Sequence, residues 1–323
     1  MRRDSIKKTS GNFAEIFSKY GIVIVLIGLV IVSGILSPSF LKLRNILNIF
    51  WQTSYVGIIA IGATFVMIAG GIDLSVGSMV ALLGAFAITT VNAMGDSYLS
   101  VFLAILATLG LSIGLGLATG LAITKGRIPA FVVTLGGMAI YRSLVLNFAN
   151  GGVYMSYSMK YSSMGMSFVL GMPLPMLVFI GYAFLAHVVL NNTRFGRYVF
   201  AVGANETASF YSAINVDWVR TWTYVISGIS VAVSGILLSS MMGSVSSSST
   251  GNGFELDAIA AAVIGGTSLS GGKGSIFGTF FGALILGVIN NMLVMLNVAV
   301  YLQGMVKGLI IIGAVLLQNL SKE

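Results

Sequence analysis

Long apolar runs dominate the chain, separated by short polar or glycine-rich breaks. They cover roughly 20–36, 46–69, 75–94, 98–124, 128–149, 173–190, 220–242, 255–270, 275–297 and 300–317. About 20 apolar residues carry a helix across a bilayer core. The pattern therefore predicts an all-α integral membrane protein with about ten transmembrane helices. No polar stretch is long enough for a second folded unit, so 1–323 reads as a single transmembrane domain. Residues 1–19 form its N-terminal tail, and residues 191–219 form its longest polar segment. The tail opens on basic "MRRDSIKK" and no small-residue cleavage site follows the first apolar run, so that run is expected to be retained as a helix.

Composition strengthens this reading: 57% of residues are hydrophobic and 8% are charged, against about 25% charged in soluble domains. The net charge of +8 comes from single scattered Lys and Arg residues, which mark topology rather than a nucleic-acid surface. With the N-terminus inside, the inner segments hold Arg2, Arg3, Lys7, Lys8, Lys19, Lys125, Arg127, Arg194, Arg197, Arg220, Lys273 and Lys322. The outer ones hold Lys42, Arg44 and Lys160. The bias predicts cytoplasmic termini. Without cysteine there is no disulfide and no thiolate metal site, and the one histidine, His187, lacks a clustered acid. No metal site and no catalytic set is expected.

Two glycine-rich breaks stand out. "VIGGTSLSGGKGS" (263–275) approaches a nucleotide-binding loop, but the spacing G-x-x-x-x-G-K-[ST] requires glycine where Thr267 stands and a hydroxyl where Gly274 stands. Apolar helices flank it, so a tight turn is expected, with no cofactor bound by this chain. "GGIDLSVGS" (70–78) shares the pattern G-G-x-x-L-S-x-G with the run from Gly265. Its Asp73 can cap the next helix by accepting from Ser75 or Val76, or can line a transport path as the acid of a broken helix.

Polar groups within spans are candidates for that path: Asn48, Gln52, Thr53, Asn290, Asn291 and Gln303, with Asp73 and Ser75 near by. Each could instead tie helices together. The intramembrane cations Arg142 and Lys307 require partners; Glu255 and Asp257, near a span start, are the candidates, and the sequence does not assign the pairs. The segment 191–220 carries Phe210, Tyr211, Ile214 and Trp218 beside water, a cost that a docking surface would justify. "NETASFYSAI" reads as a short helix with Asn205 as its N-cap.

The blocks "GGIDLSVGS", "NNTRFGRYVFAVGANETASFYSAINV" and "FELDAIAAAVIGGTSLSGGKGSIFGTFFGALILGVINN" resemble the signature blocks of the ribose-type permease subunits of bacterial ATP-binding cassette sugar importers. The resemblance runs from about residue 37 to the C-terminus. It implies a homodimeric inner-membrane permease for a monosaccharide, a separate cytosolic ATPase that uses ATP and Mg, and a periplasmic sugar-binding protein. It assigns ATPase coupling to Gly203, Asn205, Glu206, Ala208, Phe210, Tyr211 and Ile214. Thr207 and Ala213 depart from the family run N-E-A-A-x-x-x-G-I, and an alanine at 213 would be strained if that position needs positive φ. Two other classes compete: an ion-coupled secondary transporter, which needs an intramembrane titratable relay, and a membrane enzyme, which needs a clustered acid, base or metal set.

Overall fold

Apolar runs of this length satisfy their own backbone only as helices, and helices are what they form. The computed structural model describes residues 21–320; the expected N-terminal tail lies outside them. The helices are α1 (Gly21–Leu36), α2 (Leu43–Ile68), α3 (Val76–Met94), α4 (Tyr98–Thr124), α5 (Ala130–Phe148), α6 (Met159–Met166), α7 (Leu174–Asn192), α8 (Arg194–Ala204), α9 (Glu206–Tyr211), α10 (Val216–Met242), α11 (Phe254–Ile264), α12 (Ile276–Met295) and α13 (Val300–Leu320). Among the described residues, α2, α3, α4, α5, α7, α10 and α12 are long and apolar enough to cross a membrane.

The expected span 255–270 is shorter than its apolar run suggested. Gly265 and Gly266 end α11 after eleven residues, about 16 Å of rise. That is half a bilayer core. Two small antiparallel pairings, β1 (Val153–Met155) with β4 (Ser244–Ser246) and β2 (Phe168–Val169) with β3 (Met172–Pro173), tie loops at the end of the bundle opposite α8 and α9. At that end Asp96 accepts from the Ser158 hydroxyl (2.6 Å) and the Lys160 backbone (3.1 Å). The Ser158 bond, then the Lys160 bond, hold its carboxyl below the usual range.

Helix α10 is the hub, packed against α2, α3 and α4. Lipid gives no hydrophobic drive between helices, so small residues and hydroxyls supply the contact. Thr124 meets Thr221 at 3.1 Å across α4 and α10, and Ser234 donates to the Tyr55 carbonyl at 2.9 Å across α10 and α2. Thr64 and Thr279 meet at 2.7 Å across α2 and α12. The apolar faces of α4 and α5 stay outward: Phe102, Leu106, Phe131 and Ile140 are exposed.

Two non-helical stretches enter the bundle to the same depth. Residues 69–75 lead into α3, and Ser227, eleven residues past the start of α10, binds Asp73 there. Residues 247–253 lead into α11, and Arg142, twelve residues past the start of α5, binds that loop. The first turn of α3 touches the second stretch: a Cβ on Gly77 would fall on the Glu255 carboxylate and the Gly251 carbonyl.

Gly77→Ala therefore forces apart two backbones, an overpacking that typically costs about 1–3 kcal/mol. The purified permease should melt at lower temperature in detergent. Gly110→Ala, whose added methyl meets open space, should not shift the midpoint. Equal midpoints for the two variants would refute the crossing.

Candidate functional site

The polar segment after α7 folds into two short helices. Thr193 starts α8 by accepting from the Gly196 amide (3.2 Å). Val199 and Val202 face the core while Arg194, Arg197 and Tyr198 face outward. That helix was not expected from the sequence; Arg194, Gly196, Arg197 and Gly203 break its apolar residues into a run too short to stand out. Asn205 caps α9 as expected, accepting from the Ala208 amide at 2.8 Å. Phe210 and Tyr211 stand 69% and 83% exposed, an arrangement a chain facing only water rarely keeps. Phe195 stacks edge-on against Trp218 at 5.7 Å and fixes α8 to the foot of α10.

The departure at Ala213 is real strain. Its φ is +59°, the left-handed region that costs a non-glycine residue about 1–2 kcal/mol. The surrounding bonds explain why it is held. The Ile214 amide donates to the Ser209 carbonyl (3.1 Å) and the Ala213 amide to the Phe210 carbonyl (3.0 Å), the paired bonds of a Schellman end. Ile214 then turns back to pack on the core.

Two ion pairs brace this segment. Glu206 pairs with Arg220 of α10 at 2.8 Å, and Asp217 of α10 pairs with Lys125 after α4 at 3.0 Å. Gly203 touches the main chain elsewhere: it lies against the Ile68 carbonyl and the Gly272 amide. The Gly272 amide itself donates to Ile68 (2.9 Å), with φ +84° at Gly271 and +72° at Gly272. The 263–275 turn and the Gly70 turn, alike in sequence, thus meet beneath α8.

At mid-depth Asp73 is fully buried. One carboxylate oxygen accepts from the Ser75 amide (3.0 Å) and hydroxyl (2.6 Å), and the other accepts from the Ser227 hydroxyl (2.9 Å). Ser75 was expected beside it. Ser227 was not, because nothing in an apolar run marks which serine turns inward. The Tyr224 hydroxyl donates to the Ile72 carbonyl at 3.2 Å.

The remaining polar candidates divide. Gln52, Thr53 and Asn290 line one narrow cavity of about 50 Å³ beside Asp257. Thr53 Oγ1 and Asn290 Oδ1 are buried there without a partner among the described residues. Lys307 reaches Asp257 at 2.8 Å. Asn48 accepts from Gln52 (3.2 Å) and lines a second cavity near the β end with Arg44 and Trp51. Asn291 exchanges amide bonds with Asn45 (3.0 and 2.9 Å), joining α12 to α2. Gln303 donates to the Val298 carbonyl (3.0 Å) at the start of α13. Arg142 forms no ion pair among the described residues. It donates to the carbonyls of Ser247 (2.8 Å) and Thr250 (2.9 Å) and to Asn252 Oδ1 (2.8 Å). Its partners were hidden in "SVSSSSTGNG", which reads as an ordinary outer loop.

Residues 45–315 match the family described as branched-chain amino acid transport system / permease component. The ribose import permease protein of Haemophilus influenzae is 39% identical over 300 residues, covering 92% of this chain and 91% of its own. That of Bacillus subtilis is 40% identical over 310 residues, covering 95% of each. The xylose transport system permease protein of Escherichia coli is 33% identical over 384 residues, covering 98% of this chain and 96% of its own. No solved structure matches significantly.

The geometry yields two expectations. Ala213→Gly should relieve about 1 kcal/mol of backbone strain and slow hydrogen exchange of the 206–214 amides; unchanged or faster exchange would contradict it. Asp73→Asn can keep all three bonds, since its amide can donate to the Ser227 hydroxyl. Asp73→Leu leaves the Ser75 amide and two hydroxyls buried without an acceptor, at about 1–3 kcal/mol. The leucine variant should melt well below the asparagine one; equal melting points would remove the capping role.

Proposed function

Because this chain belongs to the permease-component family just matched, we propose that it moves a monosaccharide as the transmembrane subunit of an ATP-binding cassette importer. It is a multi-pass protein of the bacterial inner membrane. Relatives named for ribose and xylose, matched nearly end to end, support a sugar as cargo. The carrying observation is α9, a capped helix presenting two aromatic rings to water at one end of the bundle.

That end is read as cytoplasmic, with ten membrane segments, α11 a half-span, and both termini inside. A cytosolic ATPase docks on α9 through Phe210, Tyr211 and the cavity of about 610 Å³ that they line with Arg127 and Ile214. ATP and Mg are used there; this chain binds no cofactor, and its 263–275 turn joins helices. A second copy of the chain completes the path, lipid surrounds the pair, and a periplasmic binding protein delivers the sugar. An ion-coupled secondary mechanism is not favoured.

Movement of α9 reaches mid-depth through a contiguous set of bonds. Glu206 holds Arg220, and Arg220 stands on α10. From α10, Tyr224 and Ser227 hold residues 72 and 73, which precede α3. Alpha3 in turn abuts the loop that starts α11. Such a route biases two states only if both differ in these contacts.

Phe210→Ala with Tyr211→Ala should release the ATPase from the membrane, since interface anchors commonly contribute about 2 kcal/mol or more each, while the permease still inserts. Retained co-purification and retained sugar-stimulated ATP hydrolysis would exclude α9 as the docking element. Glu206→Arg should lower stimulated hydrolysis more than basal hydrolysis, and adding Arg220→Glu should restore part of it. Failure of the exchange to restore would dissociate the ion pair from transmission.

A further inference from the structure

Where α3 and α11 begin, a separate cavity of about 390 Å³ opens against α5. Ser78, Met138, Arg142, Ser143, Asn252 and Glu255 line it. Its size falls within the range of small-molecule sites, and several polar groups converge on it beside Met138 and Ala139. None of these residues except Arg142 and Glu255 drew notice in the sequence.

The charges decide what it would hold. A guanidinium has five N–H donors. Three bonds from Nη1 and Nη2 fix Arg142 to the 247–252 loop, which leaves the Nε–H and one Nη1–H without a protein acceptor among those bonds. Glu255 acts electrostatically on Arg142. Yet the two form no ion pair, and Glu255 has no hydrogen bond or ion pair among the described residues. A guanidinium and a carboxyl group at this depth front a water-filled path rather than lipid. Donor and acceptor therefore stand side by side, each unsatisfied by the other.

A hydroxyl group meets both needs at once, donating to Glu255 and accepting from Arg142. Ser78 and Ser143 offer two further hydroxyls, and Met138 offers an apolar patch for a C–H face. An anion would be opposed by Glu255 and a cation by Arg142. We infer that this cavity, set where the two broken helices meet, is a binding site for an uncharged polyhydroxy compound of monosaccharide size. This rests on the sugar-permease reading and gives it a location.

The absence of cysteine from the chain makes the test direct. Single variants Ser143→Cys and Met138→Cys, in the full chain reconstituted in lipid nanodiscs, are alkylated with a small water-soluble methanethiosulfonate. D-ribose, D-xylose or D-allose at about 100 mM should slow modification at least threefold. Gluconate and glucosamine should not, and adding Glu255→Gln should abolish the protection. Rates unchanged by all three sugars at both positions, protection equal with the charged compounds, or protection that survives Glu255→Gln would each overturn the site. ATP-driven uptake by the reconstituted importer is measured in parallel. Uptake without protection rejects this site and leaves the permease reading intact. Protection without uptake rejects the permease reading and leaves the site.

Discussion

Backbone that leaves a helix inside a bilayer must find hydrogen-bond partners within the protein, because lipid offers none. Among the described residues this chain leaves the helix twice at that depth, and each break has its own ionisable side chain. Asp73 accepts from the Ser75 amide and hydroxyl and from Ser227 of α10, and Arg142 donates to the carbonyls of Ser247 and Thr250. An acid serves the break that precedes α3 and a base serves the one that precedes α11. Either group left without partners would be expensive in this setting. Bound as they are, they allow α3 and α11 to begin in the middle of the bundle, so side chains from both converge where a straight helix would have passed by.

The rest of the bundle is arranged around these breaks. Alpha10 touches both α9 and Asp73, and beside the apolar packing of Val231 and Leu237 its contacts with α2 and α4 include hydroxyls and close backbone approach. Such contacts can re-form after a small shift, which would suit the transmission proposed for α10. The Asn45–Asn291 amide pair and the Lys307–Asp257 ion pair do the opposite: each fixes one helix to a specific partner by bonds with strict geometry.

Most of the spans were legible because lipid enforces a length and a polarity that a sequence displays directly; 98–124 was read to the residue. The half-length of α11 was not, since "LDAIAAAVIGG" and the glycine turn after it are apolar enough to pass for one span. The Asn205 cap and the strain at Ala213 were legible because both are local. Arg142 was recognised as needing a partner, but backbone carbonyls have no signature in sequence, and the acids suggested for it were the only visible alternative. Lys307 did find one of those acids. Ser227, Ser143 and Asn252 stayed hidden for one reason: whether a small polar residue faces lipid, a neighbour or a cavity depends on helix rotation, which the apolar pattern of an almost wholly apolar run leaves undetermined.

Gly203 joins the docking segment to α2 and to the 263–275 turn through main-chain atoms alone. Side chains between two moving parts behave as springs, since rotamers give way before backbone does. Here there is no spring. Alpha8, the end of α2 and the Gly271–Gly272 turn meet there backbone to backbone, so a displacement of the proposed docking surface would reach the foot of α2 with no side chain between to absorb it.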